Sequence, residues 1–212
     1  MWCQDLSPDT TVSRKRFQAF VYGIYLRVRI HLPMGLRNRT NLIHYNCFFV
    51  TTTCYRFLPL LASDEAKKII TESITFCNKK YKASIVAYAL MPEHIHLIIY
   101  FNEENKLSDY MRDFKKFTSV AIRNHAITEN QKYQRLLRYE LYGQKLKVWK
   151  DRFDDLVLYS RKVTLIKLNY INNNPIKAGL CEKVEDYEYC SAGYYKTGKR
   201  GLIDVLHVEE IL

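Results

Sequence analysis

One run of residues limits the architecture more than any other: Met91-Pro92-Glu93-His94-Ile95-His96-Leu97-Ile98-Ile99-Tyr100-Phe101. After the turn signalled by Pro92, the run reads as a strand, and residues two apart on a strand share a face. His94, His96, Ile98 and Tyr100 therefore lie on one side, and Ile95, Leu97, Ile99 and Phe101 on the other. The wholly apolar side demands a covering layer of helices. Two imidazoles are then left side by side on the opposite face, at the start of the strand. Neutral imidazoles so placed can hold one divalent metal ion. The same pattern also fits a polar strand end with two half-exposed histidines, and the His-x-His spacing does not separate the two.

The flanking sequence supplies a sheet around this strand. Cys47 to Thr53 is rich in aromatic and β-branched residues and reads as a strand. Ser63 caps a helix that opens with Asp64 and Glu65 and runs to about Lys80. Ser84 to Leu90 forms an antiparallel hairpin with the histidine strand. Beyond a polar loop, Ser108 caps a second helix whose apolar side carries Leu107, Tyr110, Met111, Phe114, Phe117, Thr118 and Ala121. Glu129 to Gly143 suits a short basic helix, and Val148 to Phe153 alternates like an edge strand. A last helix runs from Ser160 to Asn173 and is stopped by Pro175, with Lys183 to Tyr195 as irregular coil. The order β-α-β-β-α-β followed by a helix predicts an α+β fold: an antiparallel sheet with helices on one face and the other face open.

The 212 residues carry a formal net charge of +11, which points to a polyanionic partner such as nucleic acid. Residues 1–40 hold seven Arg and Lys against two Asp, about half of that excess. This segment is read as a basic N-terminal extension ahead of a domain spanning 41–212, with Met34 as a plausible start of the folded unit. A basic arm on a phosphate backbone is the other reading. The six cysteines include no Cys-x-x-Cys pair and suit reduced thiols in a cytoplasmic protein. Phe17 to Leu32 is too charged to span a membrane.

On the last helix Tyr170 and Asn174 are one turn apart, with Ile166 a turn earlier on the buried side of that stripe. A phenol and an amide at this spacing can serve one centre, the amide as metal ligand and the phenol as nucleophile. A tyrosine that merely packs with a hydrogen-bonded hydroxyl has the same signature.

Four motifs stand in order: His94-Ile95-His96 after Met91-Pro92-Glu93, Phe114-Lys115-Lys116-Phe117-Thr118-Ser119, Val148-Trp149-Lys150-Asp151-Arg152-Phe153-Asp154-Asp155, and Tyr170-Ile171-Asn172-Asn173-Asn174-Pro175-Ile176-Lys177-Ala178-Gly179-Leu180. Over roughly residues 43–195 the series resembles the single-tyrosine HUH transposases, in particular the REP-associated tyrosine transposases. The resemblance implies a ferredoxin-like, RRM-like sheet and metal-dependent cleavage and joining of single-stranded DNA through a 5′-phosphotyrosine. It implies Tyr170 as nucleophile and His94, His96 and Asn174 as ligands of Mg²⁺ or Mn²⁺. Glu93 stands where many relatives carry Asn and receives no role. The implied substrate is a hairpin with a short flanking recognition sequence, and a monomer and a helix-exchanged homodimer both stay open. Lys115, Lys116, Arg123, Lys132, Arg135 and Arg138 are candidate phosphate contacts, with Tyr133 or Tyr139 as stacking partners. Two other readings compete: a non-catalytic binder of single-stranded or hairpin nucleic acid, and a metallohydrolase that uses water as nucleophile.

Overall fold

The computed structural model describes residues 45–103, 105–129 and 147–212. The basic N-terminal extension, with Met34, and the helix expected near 129–143 lie outside these, apart from the latter's first residue. So do Lys132, Tyr133, Arg135, Arg138 and Tyr139.

Among the described residues four strands pair as one antiparallel sheet in the order β2-β3-β1-β4: β1 Cys47–Thr53, β2 Ala83–Leu90, β3 His94–Phe101 and β4 Asp154–Val157. The helices are α1 Asp64–Tyr81, α2 Leu107–Glu129, α3 Arg161–Asn172, α4 Asn174–Lys177 and α5 Ala192–Thr197. The α+β architecture is thus the expected one, with β3 central and its two faces in different surroundings. Ile95, Leu97, Ile99 and Phe101 join Ile70, Ile74, Tyr110, Met111 and Phe114 in a core beneath α1 and α2. Ile98 and Tyr100 belong to a second cluster with Leu168 and Ile171 of α3. The second face is therefore not open, because α3 and the C-terminal segment cover part of it. That covering is what brings α3 to the imidazoles.

The cap at Ser63 is as expected: its side chain accepts a hydrogen bond from the Ala66 amide. Other boundaries differ from the sequence reading. α2 begins one residue before Ser108, and Asn105 Oδ1 accepts from the Leu107 amide, so the turn is fixed from further upstream. Phe117 is 46% exposed, because the buried stripe of α2 runs through Phe114, Thr118 and Ile122. At the surface it meets Phe76 of α1 edge to face. The edge strand starts at Asp154, since Val148 and Trp149 turn into the helical core. Within Val148 to Phe153, Trp149 makes an isolated bridge with Cys54. Pro175 does not end the coil of the chain but sits in the first turn of α4, where its missing N–H costs nothing. The tail holds a 3₁₀ turn at Val184–Asp186 and the short helix α5.

Buried Trp149 donates its indole N–H to Thr118 Oγ1, which in turn donates to the Phe114 carbonyl. Thr118→Val keeps the shape and strands the indole donor. Urea denaturation should show a loss of about 1–3 kcal/mol, and an unchanged midpoint would show that this bond contributes nothing.

Candidate active site

β1 and β3 pair so that Thr51 faces His96 and Thr53 faces His94. This register surrounds the imidazoles with side chains from a strand far away in sequence. The His96 ring is stacked on Phe49 at 5.7 Å between centroids and is only 4% exposed. Burial, reinforced by His94 and Lys167, holds its pKa well below the ordinary histidine range, so the imidazole is neutral at pH 7. As pH falls through about 6.5 the unfolded chain takes up a proton that folded His96 refuses, so stability is lost toward acid. Between pH 7 and 5 the thermal midpoint should fall less in His96→Leu than in the parent. An equal fall in both would mean that His96 titrates freely in the fold.

The two ring nitrogens approach each other, His94 Nε2 lying 3.1 Å from His96 Nε2. The outer nitrogens explain how. Glu93 Oε1 lies 3.1 Å from His94 Nδ1, and a carboxylate only accepts, so His94 carries its proton on Nδ1 and turns a lone pair inward. The bond keeps Glu93 ionised, its pKa lowered chiefly by His94. Thr51 Oγ1 lies 2.8 Å from His96 Nδ1, and a hydroxyl can either donate or accept there. Without a cation, His96 donates its Nε2–H to His94 while Thr51 donates to Nδ1. When Nδ1–H of His96 instead donates to Thr51, both Nε2 lone pairs face one point. At bond lengths of about 2.1 Å, nitrogens this far apart subtend about 95° at a shared ion, close to neighbouring positions of an octahedron. The donor set therefore fits a divalent cation. Among the described residues no group of three or more His, Cys, Asp or Glu could complete such a site. From the described residues, further ligands would be amide or hydroxyl oxygens.

Tyr170 arrives from α3. Ser160 caps that helix by accepting from the Val163 amide, and Thr164, Leu168 and Ile171 bury one stripe against the sheet. Ile166 is 50% exposed, so the buried stripe is not the one expected. The Tyr170 ring meets His96 at 5.2 Å and Phe49 at 5.9 Å, both edge to face. Lys167 Nζ is 4.6 Å from the centre of Phe49 and 5.5 Å from that of Tyr170, and Lys177 Nζ is 5.6 Å from Tyr170. The Tyr170 ring thus lies close to His96 and to two ammonium groups, within a single chain. Asn174 is half-buried at the start of α4, where its carbonyl accepts from the Ala178 amide.

The basic candidates on α2 lie elsewhere, since that helix packs on the opposite face of the sheet from the imidazoles. Lys115 donates to the carbonyls of Lys150 and Asp151, and burial brings its pKa down to about 8. Lys116 is exposed and Arg123 half-buried. Sequence reasoning missed Phe49, Thr51, Lys167 and Lys177 and gave Glu93 no role. Only Glu93 and Lys167 carried a local signal, being next to His94 and three residues before Tyr170.

Comparison with known proteins identifies the family. A REP-associated tyrosine transposase of Haemophilus influenzae is 25% identical over 142 residues, covering 64% of this chain and 77% of its own length. The solved structure of a REP-associated tyrosine transposase bound to a REP hairpin superposes with a TM-score of 0.55 at 20% identity, covering 78% of this chain and 90% of that one. Among the described residues no helix is long and apolar enough to cross a membrane. Residues 40–174 match the IS200-like transposase family, and the chain belongs to that family of DNA-cleaving and DNA-joining enzymes.

Proposed function

We propose that the chain cuts and rejoins single-stranded DNA through a transient bond between Tyr170 and a 5′-phosphate, aided by a divalent metal, Mg²⁺ or Mn²⁺. The observation that carries this reading is the contact of the Tyr170 ring with buried His96, which unites a helix late in the chain with the imidazole pair. His94, His96 and the Asn174 amide would hold the ion. When bound, the ion would draw electron density from a non-bridging phosphate oxygen and so ease attack at phosphorus.

The chain's own residues account for the rest. The Tyr170 oxygen forms a bond to phosphorus and gives its proton to solvent, and the bond from phosphorus to the 3′ oxygen breaks. That oxygen leaves as a 3′-hydroxyl after taking up a proton. The phosphoester count is unchanged, so another 3′-hydroxyl reverses the step and joins strands with no nucleotide triphosphate. Lys167 and Lys177, with ammonium groups 5.5 Å and 5.6 Å from the centre of the Tyr170 ring, would neutralise a phosphate brought to the phenol. Phe49 walls the site and restricts water. The substrate is a hairpin with a single-stranded flank, a reading supported by the likeness to a hairpin-bound transposase. Lys116 and Arg123, with Lys132, Arg135 and Arg138, would then contact phosphates of a DNA that passes around the sheet.

A denaturing gel tests the reading. Incubation with a labelled single-stranded oligonucleotide carrying a hairpin should give a band resistant to SDS that needs Mg²⁺ or Mn²⁺ and disappears with chelator. Free cleaved ends without an adduct would instead support water as nucleophile. Binding that is indifferent to chelator, with no cleavage, would support the non-catalytic reading.

A further inference from the structure

Beyond β1 the chain makes a single 3₁₀ turn, Tyr55–Phe57, in which Arg56 and Phe57 have φ of 55° and 57°. A bulky residue enters this left-handed region only at a cost, and surrounding bonds must hold it there. They do: the Tyr55 amide donates to Val148 O, the Cys54 amide to Glu93 O and the Lys150 amide to Thr53 O. The strained turn does not serve the core, because Phe57 is left 60% exposed. Cations gather around it. Lys150 Nζ lies 3.5 Å from the centre of the Phe57 ring. Arg56 Cζ and Lys147 Nζ lie 5.3 Å and 5.4 Å from the centre of Tyr55. Lys147 also pairs with Asp151, so the cluster keeps a net positive charge. Thr53, two residues before Tyr55, faces His94, so the cluster sits at the imidazole end of the sheet.

We propose that Phe57, with Arg56, Lys147 and Lys150, is a stacking platform for an unpaired nucleobase of the single-stranded DNA that flanks the reacting phosphate. An exposed ring offers any base a π face, and cations at its rim meet the phosphates on either side. Lys150 covers the ring when no base is present and swings to a phosphate when one stacks. The location rests on the proposed function; the test does not.

Full-length Tyr170→Phe protein, which cannot cleave under that reading, is titrated into fluorescein-labelled oligothymidine and followed by anisotropy at fixed salt. Adding Phe57→Ala should weaken binding about 5- to 150-fold without changing the salt slope. Phe57→Trp should bind like its parent, and its added indole emission should be quenched by the strand. Phe57→Gly relieves the left-handed strain, so it should lose the same affinity while melting no lower than its parent. Affinity unchanged in Phe57→Ala, an unquenched indole, or an equal loss on a blunt duplex would overturn the platform. So would a change of oligomeric state in Phe57→Ala at constant affinity, which would make the surface a protein contact. Because affinity is read without cleavage, absence of an adduct in the protein that keeps Tyr170 would sink the catalytic reading and leave this result standing.

Discussion

Tyr170→Phe should abolish formation of the SDS-resistant adduct and lower strand cleavage by about four orders of magnitude or more. The substitution removes one oxygen. The ring contacts with His96 and Phe49 at 5.2 Å and 5.9 Å stay in place, so fold and binding surface persist. The variant should therefore bind the hairpin oligonucleotide about as well as the parent and melt at nearly the same temperature. Cleavage persisting in Tyr170→Phe would hand the nucleophile's role to water or to another side chain. Unchanged cleavage with loss of binding would be the opposite of what this geometry demands.

His96→Ala should be nearly as severe, lowering metal-dependent cleavage about a thousand-fold or more. Two effects combine there. One of two imidazole donors is lost, and a cavity opens beside the Phe49 and Tyr170 rings that meet His96. Binding to the basic surface should survive and stay salt-sensitive. Thr51→Val separates the two effects, because it keeps the imidazole but removes the hydroxyl 2.8 Å from its Nδ1. Calorimetric titration with Mn²⁺ should show affinity about 10- to 100-fold weaker, with little change in hairpin binding. Equal Mn²⁺ affinity in parent, Thr51→Val and His96→Ala would remove the metal from this pair of strands.

Local patterning made much of this legible in the sequence. Alternation along His94 to Phe101 assigned each side chain to its face, and the bounds of β1 match the aromatic and β-branched stretch from Cys47 to Thr53. The partners of the imidazoles were not legible, because they depend on register. Thr51 reaches His96 only through the pairing of β1 with β3, and no local pattern in Cys47 to Thr53 names its opposite number. Ile166 and Phe117 are exposed although both are apolar, since a helical stripe is narrower than the set of apolar residues near it. Val148 and Trp149 alternate like a strand, yet Trp149 finds its hydrogen bond in α2 rather than in the ladder. Pro175 reads as a stop, but the first turn of a new helix accepts it.

Mass spectrometry of the protease-digested adduct addresses the site most directly. Convergence of the imidazole pair and the phenol requires a peptide spanning Tyr170 that carries a 5′-phosphonucleotide on that tyrosine. A nucleotide attached to any other side chain, or complete cleavage with every tyrosine unmodified, would contradict it.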